Sequence, residues 1–318
     1  MRNQLKQQNI QPKDGVLAYV FALIITLVVG FFIVLIPKGN TQTILNYFIT
    51  QIGFLVVPLI YLKSHKLSVV EAIPVRGKVK LIPLLLVLPI TIGAFLQNTI
   101  LSVLFNNLLE IIGITPTVNI PSTEGALNAI LAVIAVCLLP ALAEEFLFRG
   151  IMLSSYRTKG LMPSMLLVSL MFALSHFNPA QLVHQAILGF VLAYVTVVSG
   201  SIWYGVLIHL LNNVIALFLG DIIPAYNNLY VLNATNILIL IAMCVVGIII
   251  LTLSLVAFYK TGALEDRKVE GSPFNILSKS KAPLWWENES SKDSFTIGLI
   301  VFMVVMSILS TLAQLIQF

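Results

Sequence analysis

Glu144, Glu145 and Arg149 lie close together in a stretch that is otherwise apolar, Glu144-Glu145-Phe146-Leu147-Phe148-Arg149. Upstream, Gly125 to Ala143 contains no charged residue. Taking a charged side chain into hydrocarbon costs at least about 2.5–3.5 kcal/mol, so ionisable groups in such a setting face a protein interior or a watered cavity and mark function. Downstream, His176 closes Phe172-Ala173-Leu174-Ser175-His176, and His209 opens His209-Leu210-Leu211-Asn212-Asn213. Both belong to a stretch, Gly160 to Gly220, that holds no Asp, Glu, Lys or Arg. Carboxylates, imidazoles and amides gathered in a dry site suit hydrolysis.

Helical spacing assigns these groups different tasks. Glu145 and Arg149 are four residues apart with the acid on the amino-terminal side, the favourable order for an ion pair. Glu144 is rotated by about 100° from Glu145 and cannot share the guanidinium equally. Glu145 is therefore expected to be ionised and structural, and Glu144, poorly compensated, to serve as a general base. His176 and Glu144 are equally far from Gly160, so a chain that turns there brings them level on antiparallel helices. Together they can hold and deprotonate one water. His209 and Asn213 present neighbouring donors to a common point, a candidate oxyanion hole whose donors are worth about 2.7–4 kcal/mol each in known cases. Asn212 is nearly as well placed, and periodicity does not choose between the two amides. His184 reads as a packed hydrogen-bonder near a polar break, and His65 as solvated in a basic loop.

Positioning such groups falls to membrane helices. The chain is 58% hydrophobic and only 10% charged, with a mean hydropathy of +1.00, far from the roughly 25% charged content of a soluble domain. A crossing helix needs about 20 apolar residues, which divides the chain into spans near 16–36, 43–62, 81–104, 126–149, 162–177, 182–199, 202–219, 237–259 and 295–317. The fourth is expected to run on toward Lys159. The first is longer than a signal-peptide core and lacks a small-residue cleavage pattern, so it reads as a retained helix.

The net charge of +5 is topological in origin. With the amino terminus in the cytosol, every Lys and Arg except Lys38 falls in a cytosolic segment, or at the cytosolic end of a span in the case of Arg149. The polar stretch 260–294, with Trp285-Trp286, reads as a cytosolic linker ahead of the last span. Cys137 and Cys244 sit in apolar runs and suit neither a disulfide framework nor a zinc site. No nucleic-acid motif, phosphate loop or internal repeat is present.

The ordered set Glu144-Glu145-xxx-Arg149, Phe172-xxx-His176 and His209-xxx-Asn213 resembles the three motifs of the CPBP family of intramembrane proteases, the CAAX proteases and bacteriocin-processing enzymes. That family includes the type II CAAX prenyl endopeptidases. The resemblance covers roughly residues 125–220. It implies that Glu144 and His176 activate a water, that His209 and Asn213 stabilise the oxyanion, and that Glu145 and Arg149 organise the site. It also favours Asn213 over Asn212, and a mechanism that needs no cofactor. Glu144, His176 and His209 would also suit zinc as a two-His, one-carboxylate set, although no HExxH helix is present.

The expectation is an all-α polytopic bundle of eight or nine spans in the cell membrane. Residues 1–124 form three amino-terminal spans, 125–220 the catalytic core and 221–318 the carboxy-terminal spans. The site is expected to open toward the cytosol and to cut an extended peptide, either a leader peptide or a prenylated tail. The partners are then a peptide or protein substrate and the lipid bilayer. Other readings are a non-catalytic scaffold or bacteriocin self-immunity protein, and a proton-coupled transporter with Glu144 as carrier. One tension remains, since counting residues from the turns places His176 about 15 Å further from the cytosolic side than His209. A projecting turn at 160, or a non-helical piece over 178–185, would reconcile them.

Overall fold

The computed structural model of the protein describes residues 10–33, 35–67, 69, 73–75, 79–114, 119–156, 160–261 and 294–316. Most of the linker 260–294, with Trp285-Trp286, lies outside the described residues, as do Arg2, Lys6, Arg76, Lys78, Arg157 and Lys159.

Long apolar runs have no water to satisfy their backbone in a bilayer, so they close their hydrogen bonds internally as helices. The helices are α1 Pro12–Ile33, α2 Asn40–Ser64, α3 Leu81–Ile111, α4 Ala126–Ser155, α5 Leu161–Leu174, α6 Leu182–Ser199, α7 Ile202–Ile222, α8 Ala234–Lys260 and α9 Ser294–Ile316. Described residues contain no strand, so the fold is an all-α polytopic bundle.

Among the described residues, seven helices are long and apolar enough to cross a membrane: α1 to α4, α6 with the short turn before it, α7 and α8. The expected span 162–177 falls short. α5 has 14 residues, about 21 Å of helix. It ends at Leu174, and the chain returns through Asn178 and the 3-10 turn Pro179–Gln181 into α6. Phe177 takes a positive φ of 47° in that return, and Asn178 accepts a hydrogen bond from Ala180 N at 3.0 Å. The α5–α6 hairpin is thus closed by a break over 175–178 and the 3-10 turn that follows it.

Hydrogen bonds between loops define two ends. At one, Tyr61 donates to Asp14, Ile202 N to Pro74 O, Trp203 Nε1 to Val75 O, and Lys80 N to Tyr204. Lys13, Lys63, Lys66, Lys80 and Lys260 all stand at this end, by their places on the helices. At the other, Asn40 donates to Asn128, Ser122 N to Asn40, Tyr47 to Asn119 O, and Asn107 to Tyr230 O. Lys38 stands there with Glu110, Glu124 and Asp221.

The core is centred on α4, α5, α6 and α7, where Leu147, Phe148, Met152, Met165, Phe172, Leu192, Tyr204 and Ile208 are buried together. α3 and α8 pack backbone to backbone. A Cβ on Gly93 would lie 2.6 Å from Leu251 N, and one on Gly247 would lie 2.5 Å from Gln97 N. Small residues allow this approach, which supplies the packing that apolar burial cannot provide in lipid.

Candidate active site

α4 carries the charged groups and is not a plain α-helix. Pro140 has no N–H to return to Val136 O, and the helix widens to π register over Val133–Leu138 just before it. Asn213 Nδ2, on α7, donates to Val136 O at 3.0 Å and satisfies that carbonyl. A second π segment, Glu145–Met152, begins directly after Glu144. These widened turns set the angle at which the two glutamates leave the helix.

Their surroundings differ. Glu145 Oε1 lies 2.9 Å from Arg149 Nη1 and 3.0 Å from His209 Nδ1, and all three side chains are buried. Arg149 also donates to Gly189 O at 3.3 Å and sits 4.2 Å over the Phe172 ring, a cation–π contact. Gly205 makes room for the pair, since a Cβ there would lie 2.9 Å from Glu145 Oε2. Glu144 instead accepts a hydrogen bond from Gln51 Nε2 of α2 at 2.9 Å. Its Oε2 has no hydrogen-bond partner and lies 3.9 Å from His209 Nε2.

Phe172 is the hub of the imidazoles. Its ring meets His176 and His209 edge-on, with centroids at 5.1 and 5.8 Å. His209 and His176 thus meet at one ring, His176 reaching it from the return just past the end of α5. His176 Nδ1 lies 2.9 Å from Phe172 O. A carbonyl can only accept, so Nδ1 carries the proton and the neutral ring keeps its lone pair on Nε2.

Glu144, His176, His209, Asn212 and Asn213 all line one cavity of about 920 Å³, whereas Glu145 and Arg149 lie behind its wall. The structure thus sets Glu144 on the cavity and the expected Glu145–Arg149 ion pair away from it. Three details were not expected. His209 spends Nδ1 on Glu145, Asn213 spends one N–H on Val136 O, and Asn212 donates to Asn213 Oδ1 at 3.3 Å. Gln51 was missed, although an amide at the head of the apolar stretch Ile52-Gly53-Phe54-Leu55-Val56-Val57, within the expected span 43–62, is the same kind of signal as a charge there. Among the described residues, no three His, Cys, Asp or Glu side chains are grouped as a set of metal ligands.

The cavity also bears on sidedness. Besides the site it is lined by Asn46, Tyr47, Asn106, Asn119, Ile120 and Tyr230, which cluster at the end opposite the basic residues. Toward the basic end it is closed by the Glu145–Arg149 pair and by buried Phe148 and Phe172. The cavity extends from Glu144 toward the end away from the basic residues.

A family model described as Rce1-like, type II CAAX prenyl endopeptidase Rce1-like, matches residues 126–215. The matched stretch runs from α4 into α7 and contains Glu144, Glu145, Arg149, His176, His209 and Asn213. It bears out the resemblance to the CPBP proteases, and the long apolar helices indicate a multi-pass membrane protein. No curated protein and no solved structure matches the chain.

Proposed function

We propose that the protein is an intramembrane endopeptidase that hydrolyses a peptide bond with a water activated by Glu144 and His176. The observation that carries this reading is the pair of unsatisfied acceptors on one cavity: Glu144 Oε2, which has no partner, and His176 Nε2, left bare because Nδ1 is bonded to Phe172 O. A water donating to both directs its lone pair at a substrate carbonyl. As the bond to carbon forms, one water proton passes to Glu144, which can then deliver it to the leaving amine.

Gln51 positions Glu144 by holding its other oxygen. Charge develops on the carbonyl oxygen, and the donors within reach are His209 Nε2 and the second N–H of Asn213. With Nδ1 held by Glu145, His209 donates from Nε2 only when both ring nitrogens carry a proton, and the Glu145–Arg149 pair fixes the position of that ring. The substrate must be extended, because a regular helix hides its carbonyls. A bacteriocin leader and a prenylated tail both meet that requirement, and the direction of the cavity favours a peptide presented on the side of the membrane away from the basic residues.

The test is turnover of labelled peptides by the purified protein in detergent, beside Glu144→Gln. That variant keeps the shape and removes the base, so cleavage should fall by about 10²–10⁴ while melting is unchanged. Turnover near that of the parent would reject the assignment. Prolonged chelation should leave cleavage intact, and loss restored by added Zn²⁺ would make His176 and His209 metal ligands instead.

A further inference from the structure

Beyond the reacting groups, the same cavity has a second polar wall. Asn98, Ser102 and Asn106 follow at intervals of four along α3 and share one face, and His184 and Gln185 of α6 line the same cavity. Asn98 is 8% exposed and donates to His184 O at 3.1 Å. Yet Asn98 Oδ1, Asn106 Oδ1, Gln185 Oε1 and His184 Nδ1 have no hydrogen-bond partner. A buried polar group left unsatisfied is unfavourable, so gathering several on one wall is costly unless a ligand completes them.

We infer that this wall is a subsite for the main chain of an uncharged, extended segment of the substrate; the inference rests on the peptidase reading above. Three of the unpaired atoms are amide oxygens, which call for N–H donors, and each of these side chains also carries N–H groups that can meet carbonyls. A peptide backbone supplies both in alternation. The stripe from Asn98 to Asn106 spans about 12 Å of helix, which matches three to four residues of extended chain at about 3.3 Å each. Among the described lining residues Glu144 is the only Asp, Glu, Lys or Arg, so a charged side chain seated here would lack a counter-ion. An isoprenoid chain would leave the amides unsatisfied.

The experiment uses the full chain with Glu144→Gln, so that the probe is not consumed. The probe is a fluorescent, end-blocked octapeptide of Leu and Ala, and its control carries N-methyl groups on alternate residues. Binding is read by fluorescence anisotropy in detergent. The unmethylated probe should bind at least about tenfold more tightly than the methylated one, and Asn98→Leu/Asn106→Leu should abolish that preference, as expected for the loss of one or two hydrogen bonds. Equal binding of the two probes, equal binding by parent and variant, or no saturable binding would each overturn the subsite. The two-probe comparison needs no variant to fold. Discrimination between probes by Glu144→Gln, when the protein with Glu144 intact cleaves no peptide, would overturn the hydrolytic reading and leave the subsite standing. Cleavage with unchanged KM in Asn98→Leu/Asn106→Leu would do the reverse.

Discussion

Glu144 and Glu145 are adjacent in sequence, yet different elements reach them. Glu145 is enclosed by Arg149 of its own helix, His209 of α7 and the cleft over Gly205, whereas Glu144 meets one neutral amide and the cavity. A buried ion pair that loses one partner leaves an uncompensated charge, a change that costs about 3–5 kcal/mol. Arg149→Ala should therefore lower detergent melting as well as turnover, and Glu144→Gln should lower turnover alone. Parental melting of an inactive Arg149→Ala would mean that Arg149 acts on the substrate and not on the architecture. At this scale the sequence was informative about pairs within a helix, because spacing of four fixes them. It was silent on Gln51, on the bond from His209 to Glu145 and on Asn213 capping Val136 O, since each joins helices whose rotation is set by packing.

The same limit holds for the elements. Nine apolar runs announce nine helices, and their approximate limits follow from hydropathy. The shortness of α5 does not, because Ser175, His176 and Phe177 include no Pro or Gly to mark a stop, while the backbone has already left the helix. The π turns of α4 leave only Pro140 as a trace. The pairing of α3 with α8, far apart in the chain, rests on Gly93 and Gly247, which in sequence are two unremarkable glycines of long apolar spans. At Gly247 the nearest atom to an added Cβ is backbone, Gln97 N at 2.5 Å, and it cannot swing aside. Gly247→Leu should thus separate the two helices and lower the melting temperature, more than Gly298→Leu, where nothing lies within 4 Å of the added Cβ. Equal melting of the two variants would show that the α3–α8 contact contributes little to stability. Because α3 also carries Asn98 and Asn106, the first variant should weaken peptide binding too.

For the whole molecule, the distribution of charge and the direction of the cavity have to be taken together. Positive residues mark the cytosolic side of a membrane protein, and Lys13, Lys63, Lys66, Lys80 and Lys260 gather at one end of the bundle. The cavity reaches Tyr47, Asn119 and Tyr230 at the other. On the peptidase reading proposed above, a protein so oriented would receive its peptide from outside the cytosol, which suits a secreted or translocated substrate better than a cytosolic prenylated tail. The check is cysteine labelling in intact cells, in a chain whose Cys137 and Cys244 are replaced by Ser. Asn119 and Ser64 are both exposed and stand at opposite ends. Asn119→Cys should react with a membrane-impermeant maleimide added outside, and Ser64→Cys only after permeabilisation. The opposite pattern would place the mouth in the cytosol, in which case the basic end would be external against the charge rule, and a prenylated tail would regain its claim as the substrate. The result also bears on the amide wall: a peptide arriving unfolded from translocation presents the free N–H and carbonyl groups that Asn98, Asn106 and Gln185 lack, and a folded cytosolic protein offers them only at its ends.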